Sequence, residues 1–181
     1  MLSDAQRRQL LRIAREAIEI VHLGRAPKWE SGDFDDDLRR HAGAFVTLKT
    51  KGGDLRGCIG SIHPVHPLYR AVTSSAVSAA FRDPRFDPVE PQELPQLGIE
   101  ISVMGPIEIV ASVEEIVVGR DGLIVSRGRQ AGLLLPQVAT EYGWKRETFL
   151  TQTCVKAGLP PAAWRLQDTR IERFAAEVFG E

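Results

Sequence analysis

Apolar residues recur at helical spacing at Leu10, Ile13, Ala14, Ala17, Ile18 and Val21, and the pattern stops at Gly24. Ser3 and Gln6 stand in front of it at capping-box spacing, so one long amphipathic helix is predicted. Arg25 to Asp37 reads as a surface loop leading to a short helical turn at Leu38 to His41. From Gly43 the period shortens to two: Phe45, Val46 and Leu48 predict a strand, Lys51-Gly52-Gly53-Asp54 a turn, and Leu55 to Ile62 the returning arm of a hairpin. Pro67 then opens a helix over Leu68 to Phe81. Its interior is so rich in alanine and serine that another element must approach it closely, and the hairpin is the natural candidate.

After an irregular, proline-rich stretch from Arg82 to Pro95, Ile99, Ile101 and Val103 alternate with Glu100 and Ser102. That is the signature of a half-buried strand with Glu100 facing away from the three apolar residues. The strand continues through Ile107 to Val110, another is read at Ile116 to Val118, and Arg120-Asp121-Gly122 is read as a turn into Leu123 to Ser126. Arg127 to Gly132 turns again, and Leu133 to Leu135 ends at Pro136. Helices are expected from Pro136 to Tyr142 and from Arg146 to Lys156, closed by Gly143 and Gly158. Thr169 to Phe179 fits a strand or a helix, and strand is preferred. Helices and strands do not alternate strictly and the hairpins are local, so the class is α+β with a mainly antiparallel sheet flanked by helices.

A chain of 181 residues with 43% apolar content can build a real core and fits one large domain or two packed lobes. The formal net charge of −1 gives no general attraction to nucleic acid or an acidic membrane. Arginine outnumbers lysine, which leaves a nucleotide- or nucleic-acid-binding regulator as a minor alternative. No apolar run approaches the roughly 18 residues a spanning helix needs. The N-terminus has no signal-peptide pattern, and the two cysteines, Cys58 and Cys154, are far apart, so a cytoplasmic protein with reduced thiols is expected.

The strongest local chemistry is Leu55-Arg56-Gly57-Cys58-Ile59-Gly60. It sets a thiol between two glycines at the end of a strand, with Arg56 two residues away to lower its pKa. Cys58 is the candidate nucleophile or redox thiol; the competing reading is a small residue packed against the serine-rich helix. Gly57 and Gly60 favour close backbone approach under either reading. Cys58, His63 and His66 suggest a metal set by type, but both histidines precede prolines and a fourth ligand is missing, so neither metal nor cofactor is expected. Asp83-Pro84-Arg85-Phe86 places a carboxylate and a guanidinium where they would line a cleft or close a turn. Gln137, just after Pro136, would join free helix amides in binding an anion.

These motifs, together with Gly43 to Leu48, Ile99 to Val103, Gly119 to Ile124 and Leu133 to Ala139, closely resemble the AMMECR domain family, whose bacterial and archaeal branch is the AmmeMemoRadiSam system protein A. The resemblance runs in order from the first helix to Val178-Phe179. It implies a single two-lobed domain: a larger lobe from about 1–103 plus the C-terminal segment, and a smaller, mostly β lobe from about 104–145. It also implies a place beside a Memo-like protein and a radical SAM enzyme, and the first functional reading is an accessory or substrate-binding component that takes a small molecule or peptide in the cleft around Cys58 and Arg85. The alternative is a stand-alone enzyme using Cys58. Family members often carry asparagine where this chain has Ser75.

Overall fold

A computed structural model describes residues 1–181. The first helix, α1, spans Asp4–His22 and starts with the expected capping box, in which the Gln6 N–H donates to Ser3 Oγ and the Ser3 N–H to Gln6 Oε1. A short α2 (Asp36–Arg39) follows, then strands β1 (Ala44–Lys49) and β2 (Leu55–Ser61) and helix α3 (Leu68–Phe81). The later elements are β3 (Gly98–Ile109), β4 (Asp121–Arg127), β5 (Gln130–Leu134), α4 (Pro136–Glu141), α5 (Arg146–Lys156) and β6 (Arg170–Gly180). The fold is α+β, with one six-stranded sheet in the order β2-β1-β3-β6-β4-β5 and antiparallel neighbours. No helix is long and apolar enough to cross a membrane.

By their internal contacts the residues form two compact units, Met1–Met104 with Glu177–Glu181, and Gly105–Ala176. In the first, Ala44, Val46 and Leu48 are buried on one face of β1, and Leu10, Ile13, Ala14 and Ile18 bring the apolar stripe of α1 into the same core. Helix α3 packs against α1, β1 and β2. Its small residues explain how: a Cβ on Gly57 would lie 2.2 Å from the Ala79 carbonyl oxygen. Only glycine lets β2 come that close to the helix. A Cβ on Gly60 would meet the backbone of Ala44 and Phe45 instead, so that glycine serves the approach of β1.

The second unit has its own core of Leu123, Val125, Ala139, Phe149, Leu150, Cys154 and Ile171. Two readings from the sequence are corrected here. Residues Ile116 to Val118 are not a strand: the Ile116 N–H closes a short 3-10 turn over Val113–Glu115, and its side chain is fully buried, so its apolar character reflects packing. The turn read at Arg120-Asp121-Gly122 lies earlier, where the Arg120 and Asp121 amides both donate to the Val117 carbonyl and Gly119 adopts φ +88°. Gly122 is a strand residue whose missing Cβ leaves room for the Phe174 ring. The final segment is strand, as preferred.

Candidate functional site

Strand β2 is an edge of the sheet, and its exposed flank would present unpaired backbone groups. At Cys58 that flank is covered from the loop after α3. The Cys58 N–H donates to Asp83 Oδ2 at 2.9 Å, and Arg85 Nη2 donates to the Cys58 carbonyl at 3.4 Å. Asp83 also receives Arg85 Nε on Oδ1 at 2.9 Å and Arg85 Nη2 on Oδ2 at 2.7 Å. The Asp83 side chain is only 2% exposed, yet the Arg85 hydrogen bonds, with the Cys58 and Arg85 amides, hold its carboxyl far below the usual carboxylate range against the opposing effect of burial. The Asp83-Pro84-Arg85-Phe86 turn is closed by the Phe86 N–H donating to the Asp83 carbonyl, and the half-buried Phe86 ring lies beside the Arg85 guanidinium at 5.4 Å. Asp83 and Arg85 therefore act together on the backbone of Cys58.

The thiol itself points to the opposite side of the sheet from α3. Gly57 and Ile59 flank it in sequence, and Gly57 turns toward Ala79 of the helix. Cys58 pairs with Thr47, which in turn pairs with Glu100, so the three side chains form one row across β2, β1 and β3. Thr47 Oγ1 donates to Cys58 Sγ at 3.3 Å, and Lys49 Nζ donates to Glu100 Oε2 at 2.9 Å. Glu100 thus faces away from the buried Ile99 and Ile101, as its alternation predicts.

Arg56 does not serve the thiol. Its guanidinium is bidentate on Glu93, with both contacts at 3.1 Å, and Nη1 donates to the Asp87 carbonyl at 2.9 Å. The cation beside Cys58 is Arg85, which reaches its main-chain carbonyl rather than its thiol and whose own pKa is raised chiefly by the hydrogen bonds to Asp83. Nor does the set Cys58, His63 and His66 assemble: no three His, Cys, Asp or Glu side chains are grouped to hold an ion. Gln137 lies in the second unit in the first turn of α4, with its Oε1 buried and without a hydrogen-bond partner.

The two histidines open onto a different feature. Between the end of β2 and the serine-bearing face of α3 is a cleft of about 250 Å³, lined by Ser61, His63, His66, Ser74, Ser75 and Ser78 together with the apolar Ile59, Val65 and Ala71, and bounded by Gly43 and Gly60. Ser75 is buried and already donates to the Ala44 carbonyl at 3.2 Å. Ser74 and the two imidazoles are exposed. Hydroxyls that donate and accept, beside imidazoles, suit a small polar ligand. The sequence motifs point past this cleft, because its serines read as small packing residues and only the register of β2 on α3 separates those that line it from those that do not.

Comparison with known proteins agrees with the motif pattern. The AMMECR1 family model matches residues 11–179. A protein from Methanothermobacter thermautotrophicus is 48% identical, with 99% of this chain and 96% of the relative covered. Protein TK0174 of Thermococcus kodakarensis is 45% identical, covering 95% and 88%. The crystal structure of uncharacterized protein PH0010 from Pyrococcus horikoshii superposes with a TM-score of 0.88 at 43% identity, covering 95% of this chain and 89% of that one. On the order of its motifs, the match along its length and the shared fold, the chain belongs to the AMMECR1 family.

Proposed function

We propose that this protein is a cytoplasmic accessory component that binds a small polar substrate in the cleft between β2 and α3 and works beside a Memo-like protein and a radical SAM enzyme. The observation that carries the reading is the cleft: serine hydroxyls on one face of α3 and two imidazoles line a single concavity beside the end of β2. The partners follow from the family resemblance, and the chemistry they supply would act on what this cleft presents. Cys58 has a supporting place here. Its main-chain groups are anchored by Asp83 and Arg85, which fixes the position of β2 and hence of one wall.

The test is a cleft-filling variant. Ser74 is exposed on α3, so Ser74→Phe should leave the melting temperature unchanged while narrowing the cleft. The wild-type chain is expected to associate with a Memo-like protein and a radical SAM enzyme from the same source and to raise turnover of the mixture, and the variant to associate without raising it. A mixture whose turnover ignores the chain, or responds equally to both versions, would sink the reading.

A second reading, with Cys58 as a reactive thiol, draws on the Thr47 hydroxyl donated to Sγ. Rapid labelling of Cys58 by iodoacetamide at neutral pH, together with loss of function in Cys58→Ser at unchanged stability, would favour it.

A further inference from the structure

The Gly119 to Ile124 motif, which the cleft of the first unit does not use, builds a pocket of about 260 Å³ in the second unit, lined by Glu108, Arg120, Asp121, Arg173 and Phe174. Asp121 is 3% exposed, and its carboxylate is taken up by Arg120 and the Val117 amide. Arg120 Nε donates to Oδ1 and Nη2 to Oδ2, both at 2.7 Å, and the Val117 N–H donates to Oδ2 at 2.8 Å. The Arg120 guanidinium is therefore held in one orientation, and its Nη1 has no protein partner. Arg173 comes from β6. Its Nη1 donates to the Glu115 carbonyl at 3.1 Å and lies 3.7 Å from the Glu115 carboxylate, while Nε and Nη2 both converge on Glu108 Oε2 at 3.2 and 3.1 Å.

Glu108 differs from Asp121 in one decisive respect. Its side chain is 60% exposed, so it can swing into water, and exposed pairs of this kind are weak. One carboxylate oxygen placed on the fork of Arg173 is what an incoming oxyanion would replace. The floor is Phe174, fixed by Gly122, where even a Cβ would strike the ring.

We propose that this pocket binds the phosphate group of a small molecule, with Arg120 Nη1 and the Nε/Nη2 fork of Arg173 as donors and Glu108 as a displaceable internal occupant. Asp121 and Glu115 balance the two guanidiniums in charge, so the preference for phosphate is one of geometry: its several oxygens can accept from Arg120 Nη1 and the Arg173 fork together once Glu108 swings out, where the two oxygens of a carboxylate fill a single fork.

Isothermal titration of the full chain with inorganic phosphate at low salt tests this, with acetate as the monoanionic control. Phosphate is expected to bind, more weakly as salt is raised, and acetate to bind less well. Glu108→Gln, on an exposed side chain that leaves the fold intact, removes the competing charge and should tighten phosphate binding about tenfold, the effect of one charge-assisted hydrogen bond. Arg173→Gln should weaken it by a similar factor. A flat phosphate isotherm for both wild type and Glu108→Gln, an affinity unmoved by Glu108→Gln, or acetate binding as tightly as phosphate would each overturn the proposal.

Discussion

Asp83 keeps a charge where almost no water reaches it, and that makes its contribution to folding dependent on pH. Its folded pKa is depressed, so the stability it supplies is complete above the unfolded value of about 3.9 and is lost as pH falls through the lower folded value. Asp83→Asn should therefore cost about 2 kcal/mol at neutral pH, and the gap from wild type should close on acidification below about pH 4, as urea titrations would show. Gly57 is a sharper test of packing. Gly57→Ala drives a methyl group into the Ala79 carbonyl and should cost about 1–3 kcal/mol or more, whereas a loss under about 0.5 kcal/mol would mean that β2 and α3 part easily. Both roles were half visible in the sequence: the glycine as a mark of close approach, the Asp-Pro-Arg-Phe turn as a carboxylate with a guanidinium. Hidden were the partners. Arg56 sits two residues from the thiol in sequence yet reaches Glu93, because a loop distant along the chain folds under it.

At the level of elements, the hairpin, α1, α3 and α5 were legible because their periods are unbroken and their ends carry glycine, proline or a capping box. Ile116 to Val118 misled because three apolar residues in a row fit a strand and a packed loop equally well, and only the tertiary contacts of Ile116 decide. The serines of α3 show the same limit: composition says that the helix is approached, not which hydroxyls remain free. Ser75 is one that does not. Its Oγ donates to the Ala44 carbonyl and links α3 to β1, so Ser75→Ala should lower stability by about 1 kcal/mol in denaturant titration. Ser74→Ala, exposed on the same helix, should change it by less than about 0.5 kcal/mol.

The molecule as a whole carries two hydrophobic clusters in two compact units, with one thiol in each unit: Cys58, partly exposed in the first, and Cys154 within the core of the second. Cys154 is fully buried in the second, and desolvation pushes its pKa up, so it should resist a thiol reagent in the native protein and react only when that unit opens. Mass spectrometry after timed labelling would show Cys58 modified before Cys154; the reverse order would contradict the burial of α5. Neither thiol is engaged in a disulfide, so reducing agent should leave stability unchanged. The cover that Asp83 and Arg85 lay over the outer flank of β2 also bears on how the protein behaves in a crowd of its own copies. An uncovered outer strand is a template on which other chains can grow, so loss of this cover should appear first as turbidity that rises with concentration, and the residues that steady the Cys58 main chain would then double as guardians of solubility.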